Sequence, residues 1–208
     1  MIQKFGDGCI MNKVGVVLPA GGIGSRMGAE KPKQLLEIAG KEIWKYALDV
    51  FETHELIDEI VIVCHESLFA YFKSEVKSSK VSLVQGGKER WQSVENGVNE
   101  LSSEIDFVMV HDVARPFLSK NIVTNCIDRL KEGQSCMVAK PCVDTVKWVV
   151  NAQVEKTIDR AQVWLAQTPQ CFPLSKLKSW YEMLNGGVEG FLPTDEASIA
   201  ERFGESVR

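Results

Sequence analysis

Residues 18–35 read LPAGGIGSRMGAEKPKQL, and the residue types gathered there suit one kind of chemistry, the holding of a polyphosphate. Gly21, Gly22, Gly24 and Gly28 remove Cβ atoms from a turn that must bend sharply, so that backbone N–H groups can face outward. Such N–H groups are donors without partners and suit phosphate oxygens. Arg26, Lys31 and Lys33 stand beside them against one acid, Glu30. The central expectation is that this turn grips a nucleoside triphosphate. Familiar fingerprints do not account for it. G-x-G-x-x-G needs a glycine where Met27 stands, and G-x-x-x-x-G-K-[ST] fails because no Gly-Lys-Ser/Thr occurs here. The bland alternative is a glycine-rich surface loop with solvated charges.

The elements that position such a turn are legible in the hydrophobic pattern. An apolar run at 14–18 reads as a buried strand, and 42–51 reads as a helix. Residues 60–64 (IVIVC) are fully apolar, as in a strand covered on both faces. Residues 68–76 have helical spacing, 81–84 form a third strand, and 89–101 is a helix with Trp91, Val94, Val98 and Leu101 on one face. A fourth strand at 107–110 ends at His111-Asp112, Ser119 caps a helix running to about Leu130, and 136–139 is a fifth strand. This β-α-β rhythm predicts an α/β fold with a mostly parallel sheet and helices on both sides. Ligands of such sheets sit outside the carboxyl ends of the strands. The 18–35 turn, Gly86-Gly87 and His111-Asp112 all fall at such ends.

After Pro141 the rhythm changes. Residues 145–150 (TVKWVV) and 154–158 read as two strands joined near Asn151-Ala152, a projecting β-hairpin. Trp148, Val149 and Val150 are more apolar than a solvated hairpin needs, which points to an intersubunit arm or to a hairpin folded back on its own domain. A strand at 163–167, Pro169, a helix near 174–184 and a final helix with Thr194 as its cap complete the reading.

The chain has 208 residues, 45% hydrophobic and 25% charged, an ordinary globular balance, so one domain is the default. We expect an N-terminal extension over 1–12 and a single domain over 13–208, with the arm at about 142–162. Met11 is an alternative start. The net charge of −4 argues against a nucleic-acid surface, and no apolar run reaches spanning length, so neither nucleic acid nor membrane is an expected partner. The six cysteines include no C-x-x-C and the three histidines are scattered, which argues against zinc and for reduced, mostly buried thiols. Without a secretory signal the expected compartment is the cytoplasm, an organelle not excluded.

The motifs LPAGGIGSRMGAEKPKQ, GGKERWQSV, HDVARP, DTVK, DRAQVWLAQTPQCF and TDEAS occur in the same order as in the 2-C-methyl-D-erythritol 4-phosphate cytidylyltransferases, which this chain resembles from Val14 to about Glu201. The ribitol 5-phosphate cytidylyltransferases share the first three motifs, but TDEAS and Trp164 follow the erythritol-phosphate pattern. The resemblance implies a three-layer Rossmann-like nucleotidyltransferase fold, a homodimer through the arm, CTP and a polyol phosphate as substrates, and Mg²⁺ or another divalent cation. Pro19, Ala20, Gly21, Gly22, Gly24 and Ser25 would wrap the nucleotide, and Arg26 and Lys33 would flank the transferring phosphorus. Gly86, Gly87, Arg90 and Ser93 would face cytosine and ribose. Asp112 would meet the metal or a ribose hydroxyl, with His111 orienting the loop. Arg115, Arg160, Thr168, Thr194 and Asp195 would hold the second substrate, Arg160 in the neighbouring subunit's site. For Arg115 a structural salt bridge is the alternative, for Asp195 a helix cap, and for Arg160 a surface pair with Asp159 or Glu155. Lys147 follows the family's DTVK pattern with no role assigned. The family pattern continues beyond TDEAS into a strand and a further lysine, so a third cation is unassigned in a chain whose last residue is Arg208. Other readings are a cytidylyltransferase for ribitol 5-phosphate or another polyol phosphate, and a nucleotide-binding module without catalysis. A dinucleotide oxidoreductase is the least favoured.

Overall fold

A computed structural model describes residues 12–22 and 31–208. The expectations on Gly24, Ser25, Arg26 and Gly28, and on nearly all of the N-terminal extension, lie outside the described residues. In chain order the elements are β1 (Val14–Ala20), a small hairpin of β2 (Glu37–Ile38) and β3 (Lys41–Glu42), α1 (Ile43–Glu52), β4 (Glu59–Cys64), α2 (Glu66–Glu75), β5 (Val81–Gln85) and α3 (Arg90–Glu100). Then follow β6 (Phe107–Val110), α4 (Lys120–Lys131), β7 (Cys136–Pro141), β8 (Val146–Val150), β9 (Gln153–Ile158), β10 (Trp164–Pro173), α5 (Leu174–Asn185) and α6 (Glu196–Arg202).

Among the described residues the central sheet has six strands in the order β5-β4-β1-β6-β10-β7. β5, β4, β1 and β6 are parallel, and β10 runs antiparallel between β6 and β7. Alternation along β1 sends Val16 and Leu18 to one face and Val17 to the other. The first face is covered by Trp44 and Phe51 of α1, Phe72 of α2 and Ile127 of α4. The second is covered by Val94 and Val98 of α3 and by Leu177 and Tyr181 of α5. Helices thus cover both faces of a mostly parallel sheet, as the sequence pattern predicts. Gly97 explains how α3 lies so close to it. A Cβ there would stand 2.5 Å from a methyl of Val17 and 2.7 Å from one of Val63.

Three details differ from the sequence reading. The strand expected to stop at Gln167 continues as β10 to Pro173, with its register against β7 shifting between Ala166 and Gln170. Pro169 sits inside that irregularity, where its missing N–H breaks no regular ladder. The cap of α6 is Asp195 and not Thr194: its carboxylate accepts from Ser198 N at 2.9 Å. The short β2–β3 hairpin has no clear signal in the sequence. The β8–β9 hairpin pairs with no other strand among the described residues. Asn151 and Ala152 turn it with φ of 48° and 63°, the left-handed pair that a two-residue hairpin loop demands. Trp148 and Val154 remain 58% and 62% exposed, so the hairpin is not folded back on its own chain.

Candidate active site

Because β1, β5 and β6 are parallel, Ala20, Gln85 and Val110 end at one edge of the sheet. β1 is flanked by β4 on one side and β6 on the other, so the chain reverses its direction of travel at this point, where ligands of such folds collect. Pro19 and Ala20 close β1 and deliver Gly21 and Gly22. Among the described residues a Cβ on Gly21 meets nothing within 4 Å, and one on Gly22 makes ordinary contact with Lys33 Cε at 3.7 Å. Neither glycine is required by packing among the described residues, and their open faces suit close approach by a ligand. The Lys33 stem lies beside Gly22, exposed and without an ion-pair partner among the described residues. Lys31 is exposed as well. The neighbouring Gln34 is 1% exposed and donates to Ala20 O at 2.8 Å, pinning the returning chain to the end of β1.

The second turn is built differently. A Cβ on Gly87 would fall 2.5 Å from Gln92 Cβ, and one on Gly86 would fall 2.9 Å from Ser93 Oγ. These glycines are demanded by the packing of the turn on α3. Ser93 is buried beneath it, accepting from Gly87 N at 3.0 Å and donating to Glu89 O at 3.1 Å. Its hydroxyl thus holds the turn that was expected to face the nucleotide.

Arg90 is the hub of the site. Its guanidinium makes a two-pronged pair with Glu196, at 2.8 Å to Oε1 and 3.1 Å to Oε2, and donates to Asp112 Oδ1 at 3.3 Å. Arg115 Nε donates to Asp112 Oδ2 at 3.2 Å, and its Nη1 meets Gln167. Arg115 thus makes the structural salt bridge that stood as its alternative. Burial pushes the Glu196 carboxyl up, and Arg90 only partly reverses this. Burial also works against the charge on Asp112, but the two guanidiniums more than compensate and hold its carboxyl below the usual carboxylate value. Asp112 therefore stays ionised, while Arg90 faces inward to carboxylates.

His111 and Thr168 fix the backbone behind Asp112. Thr168 Oγ1 accepts from Asp112 N at 3.3 Å and lies 3.0 Å from His111 Nδ1, while His111 Nε2 lies 3.1 Å from Arg115 O. A carbonyl can only accept, so Nε2 carries the proton, and Nδ1 accepts from the Thr168 hydroxyl. Thr168 Oγ1 is thereby engaged with both His111 and the Asp112 backbone. Burial drives the His111 pKa down to about 4. Since the unfolded chain then binds a proton that the native state refuses, stability falls as pH drops from about 6.5 to about 4, by ~2–3 kcal/mol at most. Urea unfolding at pH 7 and pH 5 should show this loss in the native sequence and a smaller one in His111→Asn.

Asp195 makes the helix cap that stood as its alternative. One oxygen caps α6 and the other accepts from buried Gln170 at 2.8 Å, leaving the carboxylate turned inward. Thr194 is exposed beside it. Arg160 is exposed between β9 and β10 and donates to Val143 O at 2.7 Å; neither expected acid pairs with it among the described residues. Lys147 reaches across the hairpin to Thr157 Oγ1 at 2.7 Å. Sequence reasoning missed Glu196, Gln34 and Gln170. Glu196 did leave a signal: it is an acid on a helix whose neighbours Ala197, Ile199 and Ala200 are buried.

A reversal point of a mostly parallel sheet, lined by a glycine turn, a lysine without an ion-pair partner among the described residues and an ionised aspartate held by arginines, is the site of a nucleotide-handling α/β enzyme. The family model described as 2-C-methyl-D-erythritol 4-phosphate cytidylyltransferase matches residues 14–208. The chain belongs to this family, and it is a nucleotidyltransferase. It is 38% identical over 196 residues to the family member from Bacillus licheniformis, covering 92% of this chain and 84% of the relative. Against the member from Haemophilus influenzae it is 38% identical over 190 residues, covering 90% and 82%. Among solved structures, the 4-diphosphocytidyl-2C-methyl-D-erythritol synthase of Anaerococcus prevotii superposes with a TM-score of 0.84 at 27% identity, covering 95% of this chain and 86% of that one. The Francisella tularensis 2-C-methyl-D-erythritol 4-phosphate cytidylyltransferase superposes with a TM-score of 0.74 at 31% identity, covering 94% and 89%.

Proposed function

We propose that the chain transfers the cytidylyl group of CTP to 2-C-methyl-D-erythritol 4-phosphate, giving 4-diphosphocytidyl-2-C-methyl-D-erythritol and pyrophosphate. The observation that carries this reading is the meeting of the Gly21-Gly22 turn, Lys33 and the Asp112 cluster at one sheet edge in a member of this family. A phosphate oxygen of the alcohol phosphate attacks the α-phosphorus of CTP, and pyrophosphate leaves. Both reactants are anions, so fixed cations must suppress their repulsion and steady the charge of the five-coordinate phosphorus. Lys33 serves this purpose, joined by Arg26 as the family resemblance implies. A phosphate monoester is already ionised near neutral pH, so no strong base is needed. Buried, neutral His111 has both ring nitrogens occupied and carries no proton in the reaction. Gln34 and Ser93 hold the two turns, and Arg90, Arg115 and Thr168 aim Asp112.

A divalent cation such as Mg²⁺ would supply positive charge to the phosphates, and Asp112 is the residue that would hold it. The protein side fits such an ion poorly. Each oxygen of Asp112 already meets a guanidinium, which leaves a lone pair on each but sets two positive charges beside any cation that approaches. The enzyme is read as cytoplasmic; among the described residues no helix is long and apolar enough to cross a membrane.

The exposed apolar strip of Trp148, Val149 and Val150 supports a homodimer joined through the arm, with Arg160 entering the partner's site. Co-expressed Lys33→Ala and Arg160→Ala chains then regain activity. Half of the randomly mixed dimers have one intact site in two, about a quarter of the native rate. Recovery of none would place Arg160 in its own chain's site. The reaction itself is tested by pyrophosphate release from each of the four nucleoside triphosphates, with and without the alcohol phosphate. Release should require CTP together with 2-C-methyl-D-erythritol 4-phosphate; equal release with ribitol 5-phosphate would overturn the substrate assignment.

A further inference from the structure

Cys126 of α4, Cys136 at the start of β7 and Cys171 of β10 bring their sulfurs within 4.8 Å of one another. All three are buried, free thiols. Among the described residues this is the only group of three histidine, cysteine or acidic ligand atoms so arranged. Cys136 and Cys171 are register partners across the β7–β10 pair, and α4 brings Cys126 to both. The three ligands therefore come from regular elements of the core and not from a loop. Their hydrogen bonding is thin: the Cys136 thiol finds Cys126 O at 3.7 Å. Cys126 and Cys136 also line a cavity of about 400 Å³ between α4 and β7, together with Asn125, Arg129, Met137 and Arg208.

We propose that Cys126, Cys136 and Cys171 form a three-thiolate site for one thiophilic divalent cation of the Zn²⁺ kind. Zinc–sulfur bonds of about 2.3 Å in tetrahedral geometry place sulfurs about 3.8 Å apart, so the trio needs to close by no more than about 1 Å. On binding, three S–H bonds break, three metal–sulfur bonds form, and three protons pass to solvent. No electron changes hands. A divalent ion with three thiolates carries one net negative charge, and Arg129 and Arg208 line the cavity from which the ion enters. The fourth position is left to water. Cys171 directly follows Gln170 in β10, so occupancy ties α4 and β7 to the strand that carries Thr168. Residue spacing could not show this site, because the ligands converge from three separate elements, with no C-x-x-C among them.

Reduced, chelator-treated protein is titrated with Cd²⁺ in the presence of a competing chelator, reading the ultraviolet thiolate-to-cadmium charge-transfer band. The expected result is one ion per chain, about three protons released per ion, a raised thermal midpoint, and displacement by Zn²⁺. Cys171→Ala weakens binding by at least about tenfold, whereas Cys142→Ala leaves it unchanged. Should Cys171→Ala fail to fold, Cys126→Ala serves in its place, and the proton count on the native chain stands by itself. No band at micromolar Cd²⁺, fewer than two protons released, or a band that survives in Cys171→Ala overturns the proposal and leaves the trio as core packing.

Discussion

Replacing Lys33 by alanine lowers the rate of pyrophosphate release about 100-fold or more and leaves the thermal midpoint almost unchanged. The two halves of this expectation come from the same observation. Lys33 is exposed, its stem rests on Gly22, and no carboxylate among the described residues pairs with it. Removing it takes away no packing and leaves no buried charge. What it removes is a cation at the place where the proposed reaction brings two phosphates together, and one well-placed donor to a developing oxyanion contributes about 3–4 kcal/mol. Lys33→Arg keeps the charge but changes its reach, and falls between the two. A native midpoint with a rate within threefold of the native enzyme would mean that Lys33 is a solvated charge and nothing more.

The second large effect is on stability. Glu196→Ala leaves the Arg90 guanidinium with no carboxylate partner but Asp112, at a cost of about 2–3 kcal/mol. The figure lies below that for a wholly buried pair, because the Arg90 side chain keeps about a third of its solvent contact. Glu196→Gln retains acceptors for Arg90 and costs less. In both variants Arg90 no longer shares its charge between two acids, so Asp112 is drawn from its place and pyrophosphate release falls about tenfold. Joint replacement of Glu196 and Arg90 by methionine separates the two roles. Urea denaturation should show much of the stability restored, as apolar groups of similar volume fill the space, while activity stays low. Recovery of both together would deny Asp112 its part in the reaction.

Much of the architecture could be read from the chain because burial on both faces writes near-continuous apolar runs. β4 and β6 emerge within a residue of their expected limits. β10 was harder, because Pro169 looks like an end when it is a local break in register. The place of the site was legible as well: three motifs at the ends of parallel strands must share an edge. The roles of individual side chains were not. Ser93, Thr168 and Asp195 carry polar groups that sequence assigns to a ligand, and in the structure each hydrogen-bonds backbone. Motif position shows that a residue is near the site, and only the hydrogen-bond partners show which way it faces. Glu196 escaped for a related reason. Its partner Arg90 lies 106 positions away, a distance over which spacing carries no signal.

The central claim is that the carboxyl edge of the parallel strands receives the triphosphate. The direct measurement is a CTP titration of ¹⁵N-labelled protein followed by amide chemical shifts. The account predicts that the largest changes fall on Gly21, Gly22, Gly87 and Asp112, and that they shrink sharply in Lys33→Ala. Shifts concentrated instead around the α4–β7 cavity, with the Gly21 and Asp112 amides unmoved, would contradict it.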